Sequence, residues 1–335
     1  MKQALYYKLL GNDIVKCTLC PHNCMIKDND RGFCNVRINK GGILYSEFFE
    51  KVTAVALDPI EKKPLYHFYP GTKILSVGSF GCNMKCLFCQ NHQISQAIPD
   101  NYDHPKSLGV QSLIDLALQQ AENIGIAFTY NEPGTFYEYM IETARLAKPA
   151  GLKTVMVTNG YINREPLEVL IPFIDAFNVD LKAFSDSFYK TITRSRLAPV
   201  KNTITRIAAA HKHLEITNLV IPGMNDNYDE FEDMVRWIAA ETGDQSVLHL
   251  SRYFPSYLMK IQGTPVNTLN DLFDIAKKHL KYVYLGNIVD TPRDTTFCDK
   301  CNNALIIRMP GNVVISGMDK KGNCMNCGNH VVDYV

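Results

Sequence analysis

A chain of 335 residues is long enough for one large core with appended segments, or for two domains. Its 35 lysine and arginine residues nearly balance 34 acidic residues, and the resulting net charge of +1 argues against a protein that binds bulk nucleic acid through a basic surface. The first residues, "MKQALYYKLLGNDIVKC", contain no long apolar stretch followed by a small-residue cleavage site, and no apolar run approaches the ~18 residues of a membrane span. We therefore expect a cytoplasmic protein that has no membrane partner.

The sequence pattern divides the chain into three predicted parts, residues 1–50, 51–290 and 291–335. The first and last parts each contain four cysteines and are expected to be small metal-binding extensions. The part between them is the expected core. A segment over residues 45–71, which includes "DPIEKKPLYHFYPG", joins the first cysteines to the first strand and is predicted to be an ordered loop.

Short apolar runs rich in β-branched residues alternate with stretches of helical periodicity between residues 73 and 286. The runs that predict strands are "KILSVGS", "GIAFTY", "KTVMVTN", "AFNVDL", "LEITNLVI" and "SVLHLSRYF". The stretches that predict helices are "SLIDLALQQAENI", "TFYEYMIETARLAKPAG", "REPLEVLIPFI", "PVKNTITRIAAAHKHL", "DEFEDMVRWIAAET" and "LNDLFDIAKKHL". Alternation at this spacing predicts an α/β fold with a parallel sheet, which is either open and doubly wound or a partial barrel.

All eleven cysteines fall into three groups. The groups are Cys17, Cys20, Cys24 and Cys34; Cys82, Cys86 and Cys89; and Cys298, Cys301, Cys324 and Cys327. Cysteine clusters in a cytosolic chain more often bind metal or carry redox chemistry than form disulfides. The last group has two CxxC pairs, which is typical of a zinc ribbon, so we expect zinc there in preference to an iron–sulfur cluster. The less regular spacing of the first group fits zinc and an iron–sulfur cluster equally.

The central group of three cysteines directly follows the first predicted strand. It therefore lies in a loop at the carboxyl edge of the parallel sheet, where α/β folds collect their ligand sites. Three protein ligands leave one coordination position open for an outside ligand. A catalytic zinc with a bound water and an iron–sulfur cube with one free iron both meet this requirement, and the spacing alone does not decide between them.

Two polar residues near the end of the sixth predicted strand, His249 and Arg252, are candidates for catalytic residues. The carboxyl ends of parallel strands meet at one edge of a sheet, so these side chains can face the same open mouth as the central cysteines.

The central stretch "CNMKCLFC" resembles the CxxxCxxC signature of radical S-adenosylmethionine (SAM) enzymes, including the aromatic Phe88 before the third cysteine. In that family the three cysteines hold a 4Fe-4S cluster, and the amino and carboxylate groups of SAM occupy the fourth iron. Electron transfer cleaves SAM to a 5'-deoxyadenosyl radical, which usually abstracts a hydrogen atom. The resemblance implies that Cys82, Cys86 and Cys89 are the cluster ligands. It also implies an electron donor such as ferredoxin or flavodoxin.

Further stretches resemble the activating enzymes of pyruvate formate-lyase. "YNEP" stands where that family has a Gly-Gly-Glu-Pro segment, although the glycine pair is missing, and it implies Asn131 and Glu132 as contacts to the SAM ammonium group. A carboxylate such as that of Glu132 can satisfy ammonium donors. "VTNGY" and "VDLKAFSDSFY" imply Asn159, Asp180 and Lys182 as contacts to the ribose or carboxylate of SAM.

Nearly the whole chain resembles the radical SAM component of the AmmeMemoRadiSam system. The stretches that carry this resemblance are "CTLCPHNC", "RGFCNVR", "DPIEKKPLYHFYPG", "GCNMKCLFCQN", "YNEP" and "YLGN". The resemblance implies a partial (β/α)6 TIM-like radical SAM barrel with small N- and C-terminal cysteine-rich metal-binding extensions. It also suggests partners similar to the Memo and AMMECR proteins, but it does not specify the substrate.

Three functions follow from these observations. The favoured one is a radical SAM enzyme that acts directly on a small-molecule substrate. The second is an activase that installs a glycyl radical on a partner protein. Activases with extra clusters insert their cysteines after the CxxxCxxC loop, whereas here the additional cysteines precede the loop and lie in the last part of the sequence. The third is a non-enzymatic multi-zinc protein that contacts RNA through its ribbon, and the balanced charge argues against it.

Overall fold

One large sheet forms the centre of the protein in the computed structural model, which describes residues 1–97 and 105–335. Within these residues the sheet has eight strands, and each lies beside its neighbour in sequence. The strands are β1 (Ala54–Pro59), β2 (Lys73–Gly78), β3 (Asn123–Phe128), β4 (Lys153–Thr158), β5 (Ala176–Asp180), β6 (His213–Val220), β7 (Val247–Arg252) and β8 (Tyr282–Gly286). Strands β2 to β8 are parallel, whereas β1 pairs antiparallel with β2 at the edge.

One helix of seven or more residues follows each of the strands β2 to β7, and shorter helices lie at His92–Ser95, Asp186–Phe188 and Thr291–Asp294. The longer helices are α1 (Val110–Gln119), α2 (Tyr137–Ala147), α3 (Arg164–Leu170), α4 (Leu197–Ala209), α5 (Tyr228–Thr242) and α6 (Val266–Lys277). Their buried apolar side chains pack with one face of the sheet into the main core. Local sequence defines their ends. For example, the Asn227 side chain accepts a hydrogen bond from Glu230 N (3.0 Å) at the start of α5, and Gly243 with a φ of 92° follows its last residue.

The predicted alternation of strands and helices in a partial barrel is confirmed, with two additions and one shifted boundary. The structure adds β8 as a seventh parallel strand and β1 as an antiparallel edge strand. The helix predicted over residues 112–124 ends at Gln119. The side chain of Asn123 accepts a hydrogen bond from Leu75 N (2.8 Å) and donates one to Ala117 O (2.8 Å), so Asn123 begins β3 instead of ending a helix.

The segment that follows β1 fills the inside of the barrel. It begins with the 3-10 turn Ile60–Lys62 and contains three fully buried apolar residues, Ile60, Leu65 and Phe68. These pack against strand side chains that point away from the helices, namely Ile74, Ala127, Val155 and Ala176. The prediction of a loop over residues 45–71 is therefore wrong for the strands Lys51–Val52 and Ala54–Pro59 and for the end of Ile43–Ser46. The part that fills the barrel is ordered, and we call it the interior segment (Ile60–Phe68).

Small sheets are formed by the segments that precede, interrupt and follow the barrel in the sequence. The N-terminal sheets contain the strands Lys2–Gln3, Ile43–Ser46 and Arg37–Lys40, and Tyr7–Gly11, Ile14–Cys17 and Met25–Ile26. A two-stranded sheet pairs Lys106–Ser107 with Lys51–Val52, and the C-terminal sheet contains Thr296–Phe297, Ala304–Met309 and Asn312–Ile315. The C-terminal sheet is connected to the interior segment, because Arg308 Nη2 donates to Tyr66 O (2.5 Å).

A buried ion pair joins the N-terminal sheets to the barrel. Arg37 Nη2 lies 2.9 Å from Glu138 Oε1 in α2, and both side chains are almost completely excluded from solvent. The same guanidinium donates to Leu5 O (2.6 Å), and Leu5 N donates to Glu138 Oε1 (2.8 Å). Two buried charges therefore satisfy each other and the N-terminal backbone at one point.

Among the described residues, the helices are all too short or too polar to cross a lipid bilayer.

We expect Arg37→Met to destabilise the protein strongly, because it leaves the Glu138 carboxylate buried without its cation. Removing one partner of a buried pair typically costs about 3–5 kcal/mol. Lys2→Met provides the matched control, because Lys2 pairs with Glu142 on α2 at a partly exposed position, where pairs typically contribute about 0–1 kcal/mol. Urea unfolding followed by circular dichroism measures both. Equal midpoints for the two variants would contradict the structural role of the buried pair.

Candidate functional site

A cavity of about 510 Å³ opens at the carboxyl ends of the parallel strands. Residues at or after the ends of all seven parallel strands line it, so the cavity is the mouth of the barrel. Its lining includes the predicted site residues Cys82, Cys86, Cys89, Asn131, Glu132, Asn159, Asp180 and Lys182. The structure therefore brings together the central cysteines and all five predicted SAM contacts.

Of the three central cysteines, Cys86 is buried and Cys82 and Cys89 are partly buried. Burial raises the pKa of Cys86 to about 12 and raises the pKa of Cys82 well above its ordinary value. Cys82 Sγ accepts hydrogen bonds from Met84 N (3.3 Å) and from the Asn159 side chain (3.6 Å). Thiols in such surroundings become thiolates when a metal centre supplies the compensating charge. The donor set thus fits an iron–sulfur cluster that has one iron open toward the cavity.

Two asparagines fix the cysteine loop to the neighbouring strand ends. Asn131 accepts from Ser79 N (2.9 Å) and donates to Gly81 O (2.9 Å), on either side of the turn into the loop. Asn159 donates to the side chain of Asn83 (2.9 Å), which lies between the first two central cysteines. Both amides are buried and already hydrogen-bonded, so their observed role is to position the loop.

The Glu132 carboxylate is completely buried and ties β3 to β4. It accepts hydrogen bonds from Thr158 Oγ1 (2.8 Å), Asn159 N (2.8 Å) and Gly134 N (2.9 Å). Burial raises the pKa of Glu132 although these three donors oppose the shift. A carboxylate has about four acceptor positions. Glu132 therefore keeps acceptor capacity for a cationic ligand, which would offset its burial.

Tyr130 occupies a backbone conformation that usually requires glycine. Its φ is 71°, in the left-handed region, and together with Asn131 it stands in the place of the family's glycine pair. Its hydroxyl donates to Asp58 Oδ2 (2.7 Å), and its carbonyl accepts from the Asn91 side chain (2.6 Å). A Cβ on Gly78 would lie 2.9 Å from the Tyr130 ring. The glycine at the end of β2 therefore makes room for the tyrosine at the end of β3.

Asp180 and Lys182 form an ion pair at the cavity wall. Lys182 Nζ lies 2.9 Å from Asp180 Oδ2. Burial alone lowers the pKa of Lys182, but the Asp180 carboxylate and the nearby Cys86 raise it well above its ordinary value. Lys182 therefore remains a cation, and its ammonium lies 5.7 Å from the centre of the Phe88 ring, next to the third cysteine.

The two predicted catalytic residues do not line the cavity. His249 is buried below the cavity and its Nε2 lies 2.6 Å from Glu215 Oε2. Arg252 donates from Nε to Thr264 O (2.8 Å). Side chains alternate along a strand, so Ser251, which lines the cavity, shares its face of β7 with His249, whereas Arg252 points to the other face. His249 lies two residues before Ser251, further from the carboxyl end of the strand. This placement argues against a catalytic role for either residue.

The cavity also contains charged residues that sequence reasoning did not select. Lys63 of the interior segment lines it, although only 2% of the residue is exposed. Lys63 Nζ lies 2.8 Å from Asp58 Oδ2, which also accepts from Tyr130. The sequence gives little sign of this position, because two adjacent lysines, as in "DPIEKKP", ordinarily indicate an exposed loop.

The four C-terminal cysteines form a compact group. Their sulfur atoms all lie within 4.8 Å of one another. The Sγ atoms of Cys298 and Cys327 are 3.6 Å apart, and those of Cys301 and Cys324 are 3.5 Å apart. A zinc tetrahedron with Zn–S bonds of 2.3 Å has edges of about 3.8 Å. This group can therefore hold a single metal ion of that size without rearrangement.

The four N-terminal cysteines line a separate, small cavity behind the central loop. That cavity also touches Asn83, Gly134 and Thr135, which belong to the loop and to the segment after β3. The N-terminal group is therefore a direct neighbour of the barrel mouth.

Comparison with known proteins supports a family assignment. The family model described as "Radical SAM superfamily" matches residues 76–238. "Uncharacterized protein MJ0808" of Methanocaldococcus jannaschii is 39% identical over 334 residues, which cover 99% of each chain. "Putative glycyl-radical enzyme activating enzyme MJ1227" of the same organism is 28% identical over 67% of this chain and 92% of its own.

More distant similarities agree with this assignment. "Pyruvate formate-lyase 1-activating enzyme" of Escherichia coli is 24% identical over 48% of this chain and 65% of its own. The crystal structure of Streptococcus suis SuiB bound to S-adenosylmethionine superposes with a TM-score of 0.51 at 14% identity, over 64% of this chain and 52% of the other. The latter similarity concerns the fold alone.

The chain belongs to the radical SAM superfamily. It is a radical SAM enzyme related to the activating enzymes of pyruvate formate-lyase. The superfamily implies a 4Fe-4S cluster and SAM as cofactors. The hypothesis of a non-enzymatic multi-zinc protein is therefore wrong.

Proposed function

We propose that this enzyme cleaves SAM at a 4Fe-4S cluster held by Cys82, Cys86 and Cys89, and that the resulting radical acts on a small anionic molecule in the same cavity. The observation that carries this proposal is the convergence of three cysteines, three carboxylates and three lysines on one cavity of about 510 Å³. Small-molecule sites typically have ~300–1,000 Å³. When bound, the cluster supplies the electron that breaks the sulfonium bond of SAM.

In this proposal the cavity residues have distinct roles toward SAM. Glu132 and Asp180 accept hydrogen bonds from its ammonium or ribose groups, and Lys182 pairs with its carboxylate. Asn131 and Asn159 act as positioning residues, since their amides already hold the cysteine loop. The spare acceptor capacity of Glu132 supports the first role, and the persistent positive charge of Lys182 supports the second.

Lys63 supports the assignment of an anionic substrate. In the described part of the chain, Lys63 Nζ has one hydrogen-bond partner, Asp58, and its ammonium lies 4.9 Å from the Tyr130 ring centre. An ammonium group has three N–H donors, so two remain for a ligand. A buried donor without a partner is costly. A carboxylate or phosphate oxygen from the cavity would satisfy these donors.

The interior segment favours a small substrate over a protein segment. It fills the barrel with buried apolar side chains on the side of the cavity away from the mouth, and Lys63 and Pro64 belong to the cavity lining. The Pro64 carbonyl accepts a hydrogen bond from the Asn178 side chain (2.7 Å), which fixes the segment to β5. A backbone glycine, the target of an activase, offers no charge to Lys63.

A glycyl-radical activase is the second candidate, because a relative that covers 67% of this chain is named as a putative activating enzyme of that type. In either case we propose an electron donor such as ferredoxin or flavodoxin. We also propose partners similar to the Memo and AMMECR proteins, on the strength of the sequence resemblance.

We also propose that the compact C-terminal cysteine group binds zinc, on the strength of its sulfur spacing.

Glu132→Gln is expected to weaken SAM binding about 10- to 100-fold, because a hydrogen bond to a charged group typically contributes about 1.5–3 kcal/mol. Isothermal titration of SAM into the anaerobically reconstituted protein measures this, and iron content should stay at the wild-type level. Glu122→Gln is the control, since Glu122 pairs with Lys73 at the surface. If Glu132→Gln binds SAM as tightly as the control does, Glu132 does not contact SAM.

Lys63→Met is expected to abolish binding of small anions in the cavity. Acetate and inorganic phosphate are the probes, added to SAM-loaded protein and followed by thermal shift. Both should stabilise the wild type and the surface control Lys73→Met, and neither should stabilise Lys63→Met. The double variant Asp58→Asn/Lys63→Met removes the carboxylate together with its buried cation and should behave in the same way. An unchanged anion response in both Lys63 variants would refute the anionic subsite.

A further inference from the structure

The N-terminal cysteines enclose a space of their own. Cys17, Cys20, Cys24 and Cys34 all line a cavity of about 20 Å³, separate from the barrel mouth. The remaining lining is mostly apolar and includes Leu19, Ile26 and Phe33. Four cysteine side chains around one largely apolar space form a potential set of metal ligands.

The spacing of the sulfur atoms distinguishes the three cysteine groups. Within residues 1–97 and 105–335, only the C-terminal group has all of its sulfur atoms within 4.8 Å of one another. Neither the N-terminal four nor the central three contain a set of three sulfurs that close together. The edges of a four-thiolate zinc site are about 3.8 Å long. The N-terminal sulfurs are thus too widely spaced for a single zinc ion.

The wider spacing suits a larger metal centre. In a cubane each thiolate binds a different corner iron, so the four sulfurs lie further apart than around a single zinc ion.

The surroundings of the group also suit a cluster. Phe33 N lies 3.5 Å from Cys24 Sγ and donates to it, and amide hydrogen bonds to sulfur are one of the features that tune iron–sulfur clusters. The group packs directly on the central loop. A Cβ on Gly81 would lie 2.5 Å from Cys34 O, and His22 Nε2 lies 2.8 Å from Asn83 O.

We propose that Cys17, Cys20, Cys24 and Cys34 hold a second iron–sulfur cluster of the 4Fe-4S type, with one cysteine on each iron. This cluster is fully ligated by protein and has no open iron for SAM. It differs in this respect from the cluster proposed for the central loop. The assignment rests on the N-terminal geometry and does not depend on the substrate of the enzyme.

The test is a metal and sulfide count on the full-length protein, produced and purified without oxygen. We expect about eight iron and eight sulfide per chain for two 4Fe-4S clusters, with about one zinc at the C-terminal group. The triple variant Cys82→Ala/Cys86→Ala/Cys89→Ala should keep about four iron and four sulfide. Mössbauer spectra of that variant should show a 4Fe-4S cluster without a differentiated iron when SAM is added.

A triple variant with no iron and about two zinc ions per chain would overturn the proposal. The variant Cys17→Ala/Cys20→Ala should keep about four iron, which then belong to the central loop. If the proposed function fails because the central loop holds no cluster, the triple variant keeps its iron and the variant Cys17→Ala/Cys20→Ala has none. This pattern is the reverse of the one that overturns the N-terminal cluster, so the two failures are distinguishable. Zinc retained at the C-terminal group serves as a folding control. If the N-terminal variant does not fold, the triple variant alone decides the result.

Discussion

The attachment of the cysteine loop to the strand ends is the constraint on which the site depends. Asn131 at the end of β3 and Asn159 at the end of β4 donate to Gly81 O and to Asn83, so the loop cannot move without breaking buried hydrogen bonds. Each buried group left unsatisfied costs about 1–3 kcal/mol. Glu132 joins the same two strand ends. Loop, cofactor contacts and barrel therefore form one rigid arrangement, as a site with a preorganised geometry requires.

Much of this arrangement is predictable from the sequence. Apolar runs of strand length and the turn-bounded helices define a parallel sheet, and topology then requires that residues after successive strands meet at one edge. That is why Cys82, Glu132 and Asn159 lie together although dozens of residues separate them in sequence. The edge strand Ala54–Pro59 was not predicted because its pairing with β2 depends on tertiary contact, and its charged continuation "EKKP" is typical of loops.

The parts that could not be predicted depend on hydrogen bonds, ion pairs and packing between residues that are distant in sequence. His249 forms a hydrogen bond with the buried Glu215, and no local sequence pattern predicts that pairing. Lys63 enters the interior because Asp58 and the Tyr130 ring offset the cost of burying its charge. Tyr130 adopts a left-handed backbone because Gly78, far away in sequence, leaves space for its ring. Each case links residues from different strands.

Electron paramagnetic resonance of the anaerobic, dithionite-reduced protein, recorded with and without SAM, tests the central claim most directly. The variant Cys17→Ala/Cys20→Ala isolates the central loop in this experiment. The account predicts a reduced 4Fe-4S signal that changes when SAM is added, because Cys82, Cys86 and Cys89 leave one iron open to the cavity. A signal that SAM leaves unchanged, or the absence of any cluster signal from a folded sample, would contradict it.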